Sequence, residues 1–143
     1  GVTVADVLAA TTSVCAAIEV IDSRVGAMRA KAVDSIADNA GAGKVVLSDL
    51  RVGPHDLDLT TIPIEMHVDA EVQRGVSGDV MGNPAAAVAW LANKLHAIDG
   101  IGGWLEAGDI VMSGSAVRSV AVGAGSRLSA SFGPLGAIDI DFT

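Results

Sequence analysis

Gly82-Asn83-Pro84-Ala85-Ala86-Ala87-Val88-Ala89-Trp90-Leu91-Ala92-Asn93 is the stretch from which the rest of the chain is ordered. Asn83 carries a side-chain oxygen that can accept from the first free amides of a helix. Pro84 has the fixed φ and missing N–H that suit the first helical position. The spacing predicts a helix from Asn83 to about Ile98, stopped before Gly100. Val88, Leu91, Leu95 and Ile98 form a stripe expected to face a sheet, with Trp90 packed near its edge.

On the N-terminal side of this helix, Ile62 to Gln73 alternates apolar and polar positions through Ile62, Ile64, Met66 and Val68, the period of a half-exposed antiparallel strand, and reads as part of a hairpin or meander. Lys44 to Ser48 and Asp56 to Thr60 are further strand candidates. At the start, Thr3-x-x-Asp6 approximates a capping box for a helix from Val4 to Ala17. Ile18 to Ile21 reads as a short strand in which Glu19 points opposite to Ile18 and Val20. Ala30, Val33, Ala37 and Ala40 give helical spacing between Met28 and Ala40, with Gly41 as the stop. Beyond the main helix come Ile110 to Met112, Ser119 to Val122 with Leu128 to Phe132, and Ala137 to Phe142, separated by glycine-containing turns. The sum is an α+β fold with a mixed, largely antiparallel β-sheet and a few packed helices, without an internal repeat or a clear linker.

Half of the residues are hydrophobic but there is no Tyr and only two Trp and two Phe, so the core must be built from Ala, Val, Ile and Leu. A formal charge of −8 with nine basic residues dispersed along the chain argues against nucleic acid as a partner. Apolar runs break well before the roughly 20 residues of a membrane span, and the N-terminus lacks the form of a signal peptide, which makes a soluble cytoplasmic protein the expectation. Cys15 falls in the expected first helix and reads as a buried, inert thiol. His55, His67 and His96 lack the spacing of metal ligands, and Gly100 to Gly103 is a loop without the Lys and Ser/Thr of a phosphate cradle.

Four blocks in order carry a resemblance: Ile18-Glu19-Val20-Ile21-Asp22-Ser23-Arg24, Asp34-Ser35-Ile36-Ala37-Asp38-Asn39-Ala40, the Gly82 to Asn93 run, and Ser113-Gly114-Ser115 followed by Phe132-Gly133-Pro134-Leu135-Gly136. Together they resemble the 2-hydroxypenta-2,4-dienoate (2-keto-4-pentenoate) hydratases and 4-oxalocrotonate decarboxylases of the fumarylacetoacetate hydrolase superfamily, with residues 1–143 as the C-terminal portion of such a catalytic domain. The resemblance implies a β-roll fold of that type, a small 2-oxo or 2-hydroxydienoate acid as substrate, and Mg2+ or Mn2+ as cofactor. It also implies a homo-oligomer, and an N-terminal companion segment carrying a Glu-x-Glu pair. Glu19 matches the third metal carboxylate, Lys31 and Asn39 match the stretch framing the active site, and Ser113, Gly114 and Ser115 match a substrate-carboxylate loop. Arg118 matches a position able to meet a second carboxylate. The activity implied is hydration of a 2-hydroxy-2,4-dienoate to a 4-hydroxy-2-oxo acid in meta-cleavage degradation of aromatic or steroid rings, with decarboxylation of a 4-oxalocrotonate as the alternative.

From the residues alone each position has a plainer reading. Glu19 is then an exposed or ion-paired strand residue, Arg24, Arg29 and Lys31 are nearby cations for salt bridges to Asp34 and Asp38, with Lys31 on the same helix face, Ser113-Gly114-Ser115 is a turn, and Arg118 a surface ion-pair residue. The chain departs from the family at Ala27-Met28-Arg29, where members read Asp-Trp-Lys, at Gly41, where Ser is common, and at Val117-Arg118, where many carry Thr. These departures keep a third reading open, a non-catalytic or repurposed subunit that supports a partner chain.

Overall fold

The side chain of Ile18 lies against both of the main apolar clusters of the molecule, and the fold is most simply followed from it. The computed structural model describes residues 1–25, 31–98 and 103–143. A small antiparallel sheet pairs β1 (Ala17–Ile21) with β2 (Ala42–Leu47), and a second antiparallel sheet has the order β4 (Glu71–Val76), β3 (Pro63–Val68), β5 (Arg127–Ser131), β6 (Ala137–Asp141). Ala16, Ile62, Leu135 and Ile138 form the buried centre between the sheets, while Met66, Val68, Leu128 and Ala130 line the inner face of the larger one. Ile18, Phe132 and Ile140 touch both groups and weld the sheets together. The fold is therefore α+β and mainly antiparallel, as the alternation in the sequence requires.

Helix α1 (Val4–Ala10) begins as expected. The Thr3 hydroxyl accepts from the Asp6 amide at 3.3 Å, and the Asp6 carboxylate accepts from the Thr3 amide at 2.8 Å. It ends at Ala10 and not at Ala17, because β-branched Thr11 and Thr12 follow and Val14 leaves to exchange two backbone bonds with Val52, at 2.8 and 3.0 Å. Cys15 consequently stands outside any helix and is only partly covered. Helix α2 (Ala32–Ala37) is shorter than the Met28 to Ala40 span expected, and Met28 and Ala30 lie outside the described residues. It stops because Asn39, Ala40 and Gly41 all take left-handed backbone conformations.

Ile62 to Gln73 resolves into the hairpin β3 and β4, turning at Asp69 and Ala70. Asp56 to Thr60 is a turn and not a strand, since the Asp58 carboxylate accepts from the Thr60 amide at 2.9 Å and the Thr60 hydroxyl at 2.6 Å, an arrangement that replaces ladder bonds. Ile110 to Met112 and Ser119 to Val122 are irregular. They have no ladder partner among the described residues, although Val117 and Val120 cover the inner face of the large sheet.

Helix α3 (Pro84–Ala97) has its expected cap, the Asn83 side chain accepting from the Ala85 amide at 2.9 Å. Its packing differs from the expected stripe. Ala85 and Ala89 are the buried residues, and with Val88 they meet Val4, Val7 and Leu8 of α1 and not a sheet, because two small side chains allow close approach of the two helices. Trp90 accordingly faces solvent, 54% exposed, with the Lys94 ammonium 5.7 Å above its ring. The Asn93 amide clamps the N-terminal segment, accepting from the Val2 amide at 2.8 Å and donating to the Val2 carbonyl at 2.9 Å.

Two changes test this packing by urea unfolding followed by circular dichroism. Leu128→Ala, in the buried centre of β5, is expected to lower stability by about 3 kcal/mol through lost contact and a residual cavity. Asn83→Ala removes only the cap and is expected to cost about 1 kcal/mol. Equal losses for the two would contradict the core assignment.

Candidate active-site face around Glu19

Strand alternation decides where Glu19 points. Ile18 and Val20 turn toward the larger sheet, so Glu19 and Ile21 turn outward, and the register places Val45 of β2 directly opposite Glu19. The carboxylate is exposed and makes no hydrogen bond or ion pair among the described residues. Its neighbours on this face, Ile21 and Val45, are apolar and exposed. A free carboxylate framed by aliphatic side chains can accept a cation or a proton donor that comes from elsewhere.

The second candidate, Asn39, is brought to the same end of the molecule. Ile21 pairs with Ala42, and a Cβ placed on Gly41 would stand 3.2 Å from the Ile21 side chain, so the Asn39-Ala40-Gly41 bend abuts the outer face of β1. The φ values of this bend are 51, 57 and 74°. A left-handed conformation costs a residue with a Cβ roughly 1 kcal/mol, so Asn39 and Ala40 must be held there by their surroundings. Lys31 sits immediately before α2, where its amide donates to the Asp34 carboxylate at 2.9 Å. The expected pairing of Lys31 with Asp38 is replaced by another cation, Arg24, whose Nε lies 2.6 Å from Asp38 Oδ1.

Asp38 is the carboxylate that Arg24, one of the cations expected to pair with Asp34 or Asp38, takes as its partner. It is only 5% exposed, and its carboxylate accepts from the Ser23 hydroxyl at 2.8 Å and the Arg24 amide at 3.1 Å as well as from the Arg24 side chain. The Ser23 hydrogen bond, followed by the bonds and charge of Arg24, holds this carboxyl below the ordinary aspartate range. The sequence offers Arg24, Arg29 and Lys31 as partners for Asp34 and Asp38, but its spacing does not reveal that Arg24 takes Asp38 or that the Ser23 hydroxyl joins them.

Ser113, Gly114 and Ser115 lie in an irregular loop and do not follow a strand, which corrects the expectation for this segment. Gly114 has φ 118°, and the Ser115 hydroxyl donates to the Val117 carbonyl at 2.7 Å. The loop is seated over β4, where the Ala116 carbonyl fills the space a Cβ at Gly75 would need, and Val117 reaches the inner cluster that Ile18 also touches. Arg118 is exposed and makes no ion pair among the described residues. Glu19 and Asn39 thus share one end of the small sheet, whereas Ser113, Gly114, Ser115 and Arg118 are anchored on the larger one.

A cavity of about 260 Å³ lies on the other side of β1, between Val20, Lys44 and Val46 and the end of β6 at Ile140 and Phe142. Since Val20 points away from the Glu19 face, this cavity is separate from the candidate site. Among the described residues no group of three His, Cys, Asp or Glu side chains could hold a metal ion. His55, in a turn, His67, in β3, and His96, on the exposed side of α3, are accordingly dispersed.

Residues 1–142 match the family described as fumarylacetoacetate (FAA) hydrolase C-terminal. The chain belongs to this family. A 2-hydroxyhexa-2,4-dienoate hydratase of Comamonas testosteroni is 38% identical over 144 residues, covering 100% of this chain and 53% of the relative. A 2-keto-4-pentenoate hydratase of Burkholderia vietnamiensis is 38% identical over 142 residues, covering 99% of this chain and 53% of the relative. The solved 4-oxalocrotonate decarboxylase from Pseudomonas putida G7, complexed with magnesium and adipate, superposes with a TM-score of 0.92 at 30% identity over 100% of this chain and 54% of that one. The chain spans about half the length of the relatives it matches, and the fold of that half is the fold of the solved decarboxylase. No helix among the described residues is long and apolar enough to cross a membrane.

The depressed carboxyl of Asp38 fixes a sign for pH dependence. A group whose folded pKa lies below its unfolded value stabilises the fold above the unfolded pKa and loses that contribution as pH falls through the folded one. Urea midpoints measured from pH 7 down to below the aspartate range should therefore fall on acidification, and Asp38→Asn should be less stable at neutral pH with a shallower acid limb. An acid limb unchanged by Asp38→Asn would show that other groups control it.

Proposed function

We propose that this chain is the C-terminal portion of a metal-dependent hydratase that adds water to a 2-hydroxy-2,4-dienoate to give a 4-hydroxy-2-oxo acid, as in meta-cleavage degradation of aromatic or steroid rings. The observation that carries the reading is the 38% identity to a named dienoate hydratase over the whole of this chain. Net hydration places a hydroxyl on C4 and one proton each on C3 and C5, one proton coming from the added water and the other from the 2-hydroxyl as it becomes the 2-oxo group, so it needs no oxidant or reductant. The demands on the protein are to bind the substrate carboxylate and 2-oxygen, to hold charge at that end while the double bonds shift, and to admit one water.

In this reading Glu19 contributes one ligand to Mg2+ or Mn2+. The described residues alone do not fit such a site, since hard divalent cations take several oxygen ligands and Glu19 stands without two further acidic or imidazole groups. The remaining carboxylates belong to polypeptide outside these 143 residues, in agreement with a match to only about half of each relative. Asn39, at the end of the Glu19 face, supplies an amide to the 2-oxygen, and Lys31 offsets the substrate carboxylate. The Ser113-Gly114-Ser115 loop supplies neutral hydroxyl and amide donors, and Arg118 meets a second carboxylate where the substrate is a diacid.

A 4-oxalocrotonate-type decarboxylase is the second reading, favoured by the TM-score of 0.92 to that enzyme. Both readings are tested by joining this chain to the part of the Comamonas hydratase outside the matched segment and supplying Mg2+. Loss of dienol absorbance reports hydration, and carbon dioxide release from 4-oxalocrotonate reports decarboxylation. Glu19→Gln is expected to lower turnover by at least about 100-fold and to weaken Mn2+ binding measured by titration. Full turnover in Glu19→Gln would remove Glu19 from the site.

A further inference from the structure

The bend at Asn39, Ala40 and Gly41 is enclosed by a single side chain. Arg24 Nη2 donates to the Asp38 carbonyl just before the bend, and Arg24 Nη1 donates to the Ala42 carbonyl just after it, at 3.2 Å. Its Nε is bonded at 2.6 Å to the buried Asp38 carboxylate, which also accepts from the Ser23 hydroxyl at 2.8 Å. Two backbone bonds complete the frame, Gly41 amide to Asp38 carbonyl at 2.9 Å and Asp22 amide to Gly41 carbonyl at 2.8 Å.

We propose that Ser23, Arg24 and Asp38 are positioning residues, which together hold Asn39 and Ala40 in the left-handed conformation and so fix Asn39 at the end of the Glu19 face. The chemistry of the three groups explains their types. A guanidinium is a rigid planar fork with five donors and can bond a carboxylate and two carbonyls at once, whereas an ammonium is a point donor on a flexible stem. The Asp38 carboxylate, removed from water, needs several donors, and Ser23 supplies one without adding charge. Gly41 requires no help at φ 74°, but Asn39 and Ala40 carry side chains and leave the left-handed region once the fork is opened. The role of Asn39 toward substrate rests on the hydratase reading; the backbone claim does not.

The test uses the isotope-labelled 143-residue chain and four variants: Arg24→Lys, Asp38→Asn, Ala40→Gly, and Arg24→Lys combined with Ala40→Gly. Carbon chemical shifts and amide-to-α-proton couplings at Asn39 report the sign of φ. The expected result is a left-handed Asn39 in the parent chain, loss of that signature in Arg24→Lys and Asp38→Asn with β5 and β6 signals unchanged, and its return in the combined variant, where glycine removes the penalty at position 40. If Asp38→Asn fails to fold, Arg24→Lys decides the matter, since the Arg24 side chain is 57% exposed and its loss leaves the core intact.

In the joined, active assembly, Arg24→Lys is expected to lower kcat about tenfold with KM changed less than twofold, and Ala40→Gly in that background to recover most of the loss. A merely structural role for Arg24 would give no recovery specific to position 40. The proposal is overturned if the left-handed signature survives both Arg24→Lys and Asp38→Asn, or if it is lost while turnover stays at the parent value. Absence of turnover in the parent assembly would sink the hydratase reading, and the spectra alone would then decide the bend.

Discussion

Packing of the half-buried Ile18 side chain between the two sheets is the constraint on which the candidate site depends. In a strand, successive side chains must take opposite faces, so the contact of Ile18 with both apolar clusters dictates that Glu19 leaves the interior. A one-residue slip of β1 against β2 would bury the carboxylate and expose Ile18 and Val20 together, which makes the register expensive to change. Phe132 and Ile140 close the same seam from the larger sheet. The outward carboxylate is thus a by-product of hydrophobic packing, available to chemistry because the core has no use for it.

Local signals in the sequence were followed by the chain wherever neighbouring residues alone decide the outcome. Asn83 with Pro84, Thr3 with Asp6, and the alternation in β1, β3, β5 and β6 all gave the elements expected of them. Most misreadings arose where distant partners compete. Alternation at Ser119 to Val122 satisfies the period of a strand but finds no edge to pair with, and the apolar stripe of α3 yields to the alanines that α1 can approach closely. Asp58 defeats a strand through its own side chain, a local effect legible in principle from Asp-Leu-Thr-Thr.

The site was legible only in part for the same reason. The outward direction of Glu19 followed from the strand period, while its role and that of Asn39 are what the family resemblance implies. The link between Ser23, Arg24 and Asp38 spans 14 to 15 residues, a separation that no periodicity encodes. Family likeness fixes the fold of this half and names the chemistry of its relatives. It says nothing about why two separate motif runs occur together, and the hydrogen bonds supply that reason.

The aliphatic character of the interior has an optical consequence. Both indole rings stand at the surface, Trp90 at 54% and Trp104 at 71% exposure, and the chain has no tyrosine. Light emitted by these rings comes from water-facing groups in the folded protein and again in the unfolded one. Neither tryptophan therefore senses the core, and the cooperative melting of this chain is followed through the amide chromophores of its strands and helices.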